Sequence, residues 1–538
     1  MTKEMKKRDE KKNFLIVSGI IFALVFCGFM WFIKTRITFL LDSDDSSELI
    51  LSHLLASENR LLSKDWYYST ELRVVNTQIF YAFFFKIFHS WHRVRIASYV
   101  CLYIVMIATW YFACRGLKIR RYFLITAALL MIPFSRAYFS VVLKCPYYIP
   151  HIAFTFFTLG LCESYVAKES GKRQKIHLVV ALLSSILAGM GGARQIIILY
   201  IPLMFAAISI VMFGSFIANK KIICKLENGD KKYVLFTMVS FVGAFIGYLI
   251  NTKILAKIYS FQQWDDISFA GFNISKLSPI INGFLVSYGY NEGKVFSSAL
   301  LCNILCMCWL LLTVGACIHI LKNRKNVEPA HYRMALFTVA AFIVYILLYM
   351  FTNLGYNDRY NLPIIVLSIP MIAILFKNTG LQNSINYVAI TIFVLLVAYS
   401  GYLFCKEEYK VDNTAELRAI VIALQNEQYT EGYATFWRAN ILTELSDGTI
   451  DVWNWQDTRN EQVITVASID DTHKWLQLIA HDYTHPEGKV FLLFTKNEWE
   501  NNPWTGKLST KHIIYQSDGY IVIGYENYDK LRDDTTQQ

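Results

Sequence analysis

About eleven apolar tracts recur between residues 14 and 404, most of them near the roughly 20 residues a helix needs to cross a bilayer. They cover 14–33, 94–114, 122–138, 149–166, 176–189, 196–216, 233–250, 296–320, 334–351, 362–376 and 387–404. One soluble core cannot absorb that much apolar sequence. The chain of 538 residues is 55% hydrophobic and only 17% charged, with a mean hydropathy of +0.35. The excess must face lipid, so the pattern predicts a polytopic α-helical membrane protein.

Positive charge supplies an orientation. The basic segments 3–12, 115–121, 168–175, 220–232 and 322–333 all fall on one side of the predicted topology, which makes that side cytoplasmic. This requires 78–88, a short apolar run that holds Lys86, to lie along the outer interface without crossing. The first tract follows a charged start but is not followed by a small-residue cleavage site, so it reads as a retained span. An odd number of spans then leaves the N-terminus in the cytoplasm and the tail on the extracytoplasmic face. A net charge of +11 gathered in such segments reports topology, and nucleic acid is not an expected partner.

The predicted division is a membrane domain over 1–405, with outward loops at 42–93 and 253–295, and a soluble α/β domain over 406–538. In the tail, 413–428 reads as a helix capped by Asn413 or Thr414. The segments 432–437, 463–467, 490–494, 512–515 and 520–525 read as strands. Most of the 11 cysteines sit in apolar tracts, and none follows Cys405. A disulfide-free outer domain favours a bacterial cell surface, in the plasma membrane, over a secretory lumen.

The first outward loop opens with Leu41-Asp42-Ser43-Asp44-Asp45-Ser46-Ser47-Glu48. Four carboxylates at a membrane edge have a plain structural reading: Asp45 as a helix N-cap with Glu48 three residues on, both suiting the positive end of the helix dipole. They also have a chemical one, in which a partly desolvated carboxylate is a general base for an incoming hydroxyl. The readings are compatible.

With this loop the chain resembles the GT-C superfamily of membrane glycosyltransferases, which includes lipid A aminoarabinose transferases and protein O-mannosyltransferases. The resemblance lies in a first span followed at once by Asp44-Asp45, an amphipathic stretch 48–56, Asp65-Trp66 and the juxtamembrane run 78–88. A second point of similarity is Arg359-Tyr360-Asn361-Leu362-Pro363 at the start of a late span. It implies a polyprenyl-phosphate sugar as donor, with Asp44 as the catalytic carboxylate ahead of Asp45 and then Asp42. One departure stands out: the second outward loop reads Lys144-Cys145-Pro146-Tyr147-Tyr148, without the acid that several relatives carry there. Either Glu48 or Glu71 supplies that role, or the role is absent.

A lipid phosphate calls for cations. Arg194, in Gly191-Gly192-Ala193-Arg194-Gln195, and Arg359 stand at the outer ends of predicted spans, where an ionisable group is costly unless paired or functional. Guanidinium forks suit phosphate, although interfacial arginines also snorkel to headgroups. Arg73 and Lys253 are weaker candidates. Trp66, Tyr147, Tyr148 and Trp264, with Glu71, could line a sugar groove, while an interfacial aromatic belt accounts for most of the rings. Asp265 and Asp266 lie in the loop that would cover the donor.

His481 and His485 lack the Glu of a zinc helix, so no metal site is assigned there. No cofactor is demanded, but the loop carboxylates leave room for a divalent cation. Gly243 and Gly247 read as a helix-packing GxxxG. Walker A, dinucleotide and GxSxG patterns are absent from the sequence, which argues against an ATP-driven pump, a dehydrogenase and an α/β-hydrolase. The expected activity is transfer of a sugar from a polyprenyl phosphate to a hydroxyl acceptor. The rival, a flippase of lipid-linked saccharide, would place its charges along the midplane.

Overall fold

A computed structural model of the chain describes residues 3–69, 72–168, 171–218, 221–224, 226–260, 267–290, 300–379, 382–460, 463–503, 505–508 and 512–536. Two compact units emerge. The first comprises Met1–Ile33, Leu102–Thr252 and Asp266–Tyr409; the second gathers Lys34–Cys101, Lys253–Asp265 and Lys410–Gln538. The loop after the first span and the tail therefore belong to one folded body, and residue 405 lies inside the helix Asn383–Glu408.

Among the described residues, eight helices are long and apolar enough to cross a membrane. These are Arg8–Phe39, Trp91–Gly116, Ala193–Phe213, Asn228–Lys257, Leu300–Lys322, Pro329–Phe351, Arg359–Asn378 and Asn383–Glu408. Leu24, Met212 and Leu311 are 69%, 68% and 67% exposed, an exposure that makes sense for side chains solvated by acyl chains. The chain is an integral membrane protein.

Of the other three tracts, 149–166 keeps its expected bounds, 176–189 starts four residues earlier, and 122–138 is broken. Ile149–Val166 and Lys172–Gly189 are single helices of 18 residues each. The tract 122–138 is not one helix. It forms Phe123–Leu130, breaks around Pro133, and restarts at Arg136 under a cap from Ser135, whose side chain accepts from the Tyr138 amide. Proline removes a donor and restricts the residue before it, so the helix ends there.

Within the first unit, the helix Lys172–Gly189 packs against Asn228–Leu249 through glycine. A methyl group added at Gly247 would run into the Ile186 carbonyl, one at Gly243 into Ser185, and one at Gly189 into the Ala244 carbonyl. The GxxxG is thus a backbone contact, as its spacing predicts. Gly247→Leu is expected to separate the two helices, read as loss of a disulfide between cysteines placed on their facing sides. Ion pairing accommodates the acid in Ile149–Val166: Glu163 accepts from Arg333 Nε at 2.8 Å and from Nη2 at 2.5 Å, both side chains being buried. A buried carboxylate is tolerable only with such a partner.

The second unit is built on a five-stranded sheet. Its strands are β1 (Glu431–Thr435), β2 (Asp451–Trp455), β3 (Val490–Thr495), β4 (His512–Gln516) and β5 (Tyr520–Tyr525). They run in the order β2-β1-β3-β5-β4, with β2, β1 and β3 parallel and β5 antiparallel to both β3 and β4. Val490–Phe494 are wholly buried, as a central strand covered on both faces should be. The sequence reading of 432–437 as a strand runs two residues too far: the chain turns after Thr435 into the helix Phe436–Leu445. Strand β2 is not among the expected strands, and 463–467 pairs in a separate hairpin with Asp457–Asn460. The predicted tail helix is Ala415–Asn426, with Thr414 at the cap position but without a capping side-chain hydrogen bond.

Candidate active site

The acid-bearing turn sits in the second unit at the start of the helix Ser43–Glu58. Asp42, in extended backbone conformation, is its N-cap, and the Asp42 carboxylate accepts from the Asp45 amide at 3.0 Å. The assignment of Asp45 as cap is therefore corrected. The helix begins one turn earlier, because Asp42 satisfies an amide that would otherwise lack a partner. Asp44 is half-buried in the first turn and Asp45 is buried. The carboxylate oxygens of Asp42 and Asp45 lie within 4.8 Å of each other, and the helix dipole favours negative charge at this end.

One turn on, Glu48 accepts from Thr77 at 2.8 Å, and Arg73 Nη1 stands 3.6 Å from its other oxygen. Burial pushes the Glu48 carboxyl above its ordinary range, against the opposing pull of Arg73. Glu48 and Arg73 are thus brought together, acid with base. Trp66 is fully buried and bridges Leu478 in antiparallel fashion, while the next residue, Tyr67, lines a cavity. Glu71, Trp264, Asp265 and Asp266 lie outside the described residues.

Sequence reasoning missed the group that fixes this turn. Arg95 is fully buried. Its Nε and Nη2 donate to the two oxygens of Glu444 at 2.8 and 2.5 Å, Nη2 also reaches the Asp45 carbonyl at 3.2 Å, and Nη1 reaches Tyr99 at 3.0 Å. Ser43 donates to the Phe436 carbonyl. The helix Phe436–Leu445 and the Arg95 fork thereby hold the first turn of Ser43–Glu58 from two directions. A bidentate guanidinium fixes orientation as well as charge.

The first unit carries the two candidate phosphate arginines. Arg194 lies over the ring of Tyr148 at 5.1 Å, and Arg359 over Tyr360 at 5.4 Å. The phenol of Tyr345 is within electrostatic reach of Arg194, Tyr148 and Tyr360. A narrow crevice is lined by Tyr148 and His151 on one side and by Leu362 and Pro363 on the other. The Arg194 turn and the Arg-Tyr-x-x-Pro segment therefore share one neighbourhood. Asn361 anchors the latter by donating to Ser287 at 3.0 Å and Tyr356 at 2.8 Å. Gln195 anchors the former through His151 Nδ1 at 2.8 Å. Tyr147 is half-buried beside Tyr148.

No family model matches the sequence, and no curated protein matches it either. Among solved structures, ArnT from Cupriavidus metallidurans bound to undecaprenyl phosphate matches with a TM-score of 0.52 at 10% identity, over 96% of this chain and 100% of that one. The chain has the fold of ArnT. The apo state of the same ArnT gives a TM-score of 0.49 at 10% identity over the same shares of both chains. The oligosaccharyltransferase of Archaeoglobus fulgidus, tethered with an acceptor peptide, gives 0.44 at 12% identity, over 82% of this chain. This chain spans 64% of the length of that archaeal protein. The likeness to ArnT agrees with the family resemblance drawn from Asp44-Asp45 and from Arg359 to Pro363.

Proposed function

We propose that the protein is a membrane glycosyltransferase that moves a sugar from a polyprenyl phosphate to a hydroxyl acceptor on the extracytoplasmic face. The observation that carries this reading is the carboxylate turn Asp42–Asp45, immediately after the first helix and clamped by a buried arginine, in a chain with the fold of ArnT. ArnT, which shares that fold, is bound to undecaprenyl phosphate, and this supports a polyprenyl donor here. Asp44 takes the acceptor proton as the hydroxyl oxygen attacks the anomeric carbon, and the bond from that carbon to the phosphate oxygen breaks with inversion. The phosphate leaves as an anion, so a strong general acid is not needed. Arg194 and Arg359 bind that anion and offset its growing charge.

The hard oxygen donors Asp42 and Asp45 would hold a divalent cation if one assists, and its chemistry there would be electrostatic. The basic loops support an N-terminus in the cytoplasm and a second unit on the extracytoplasmic face.

The deciding experiment incubates purified protein with a radiolabelled polyprenyl-phosphate sugar and membrane acceptors. Label appearing in an acceptor supports transfer; movement of the intact donor between leaflets without transfer supports the flippase instead. Arg194→Ala is expected to raise the donor KM about tenfold or more, the worth of one charged hydrogen bond. Arg194→Lys should recover part of the loss, because the charge returns without the fork. An unchanged KM in both variants would take Arg194 out of the donor site.

A further inference from the structure

The second unit contains a cavity of about 780 Å³ that the transfer chemistry above does not use. Three stretches of chain build it: Tyr67 from the outer loop, Ala256, Tyr259 and Ser260 from the second loop, and Gln456, Asp471, Thr472 and Lys474 from the tail. Its volume is that of an organic ligand site.

Each wall is held by backbone pairing. The Tyr67 amide donates to the Gln477 carbonyl at 2.9 Å, and the Leu476 amide donates to the Tyr67 carbonyl at 2.8 Å. The Tyr68 amide donates to the Ser260 carbonyl at 2.9 Å, and the ring of Tyr259 meets that of Tyr68 edge-on at 6.1 Å. The Gln456 amide donates to the Asp471 carbonyl at 2.9 Å. A site whose walls are fixed before binding loses little order when a ligand enters.

The charges of the described lining residues disfavour an anionic occupant. Lys474, the cation among these lining residues, is bound to Asp482 at 2.9 Å. Asp482 also accepts from Thr472 at 2.7 Å and from the Tyr67 hydroxyl at 3.1 Å. Burial pushes the Asp482 carboxyl up, but the hydrogen bonds from Lys474, Thr472 and Tyr67 outweigh it and hold the group below its usual range. The positive charge is therefore matched within the protein. Asp471 adds an exposed carboxylate to the lining, which would repel phosphate.

What remains is a mixture of two tyrosines, an amide, hydroxyls and a carboxylate. That mixture suits a polyhydroxylated ring, which offers hydroxyls at its rim and a C–H face to an aromatic surface. We infer that this cavity binds a neutral saccharide, and that in the transfer reaction it holds the glycan of the acceptor. The second clause rests on the glycosyltransferase reading; the first does not.

The test measures binding alone. Full-length protein in detergent is titrated with chitotriose and cellotriose, followed by saturation-transfer NMR. Binding of at least one trisaccharide is expected, weakened about tenfold or more in Asp471→Asn, the worth of a hydrogen bond to a charged group. Tyr259→Ala should also lose binding, and Asp471→Asn, a conservative exposed change, keeps the test valid if Tyr259→Ala misfolds. Inorganic phosphate should not compete. Failure of both sugars to bind, binding indifferent to Asp471→Asn, or competition by phosphate would each overturn the inference. If either sugar binds while transfer is absent, the cavity stands and the transferase reading falls. If transfer proceeds while neither trisaccharide binds, the transferase reading stands and the cavity is not a saccharide site.

Discussion

Asp44→Asn is expected to lower transfer by roughly 10²- to 10⁴-fold, the usual contribution of a positioned general base, while donor binding and thermal stability stay near wild type. The amide keeps the shape of the side chain and cannot accept the proton. Because Asp44 occupies the first turn without being its cap, the helix should survive the change. Its neighbours provide the contrast. Asp42→Ala removes the cap on the Asp45 amide and should cost about 1 kcal/mol of stability, with activity falling only as far as the turn loosens. Initial rates at saturating donor, together with a donor-binding isotherm, separate these outcomes. If Asp44→Asn turns over at the wild-type rate, Asp44 is not the base, and the same assay on Asp45→Asn and Glu48→Gln would identify another.

Glu444→Ala should be the most destabilising single change in the second unit, by about 3–5 kcal/mol, since it strands a buried guanidinium without its counter-charge. Arg95 is 1% exposed and donates to both oxygens of Glu444. Replacing the pair together, as Arg95→Met with Glu444→Leu, should recover most of the loss, because two apolar side chains avoid the desolvation that the ions suffer. Thermal melts in detergent report both. Activity should respond differently. The double variant no longer has the Arg95 fork on the Asp45 carbonyl, so its transfer rate should remain low even where its Tm returns. A double variant as active as wild type would mean that the turn is held by Ser43 and the helix Phe436–Leu445 alone.

Features written in contiguous sequence are legible without the fold. Most of the long apolar tracts, the glycine pair at 243 and 247 and the acid cluster after the first span each depend on local spacing, and these appear where that spacing puts them. The cap is harder to place because Asp42, Ser43, Asp44 and Asp45 are all good caps, and only the end of the preceding helix chooses among them. Strand β2 is hidden because Asp451 and Asn454 are poor strand formers, and parallel pairing with β1 overrides that preference. Arg95 and Glu444 are hidden for a different reason. Neither stands in a motif, and they lie 349 residues apart, so nothing near either one in sequence announces the other. The same holds for the cavity, whose walls come from three distant stretches.

The scattered make-up of the second unit, from Lys34–Cys101, Lys253–Asp265 and Lys410–Gln538, has a consequence for biosynthesis. Arg95 is made early, but its partner Glu444 follows it by 349 residues, a wait of roughly 20–70 seconds at typical ribosome speeds. During that interval a nascent chain carries a guanidinium that water or headgroups must solvate. Premature stop codons between Glu408 and Glu444 would thus leave a chain with its long helices made but Arg95 without Glu444, and such fragments should be cleared by membrane proteases faster than fragments ending beyond Tyr525.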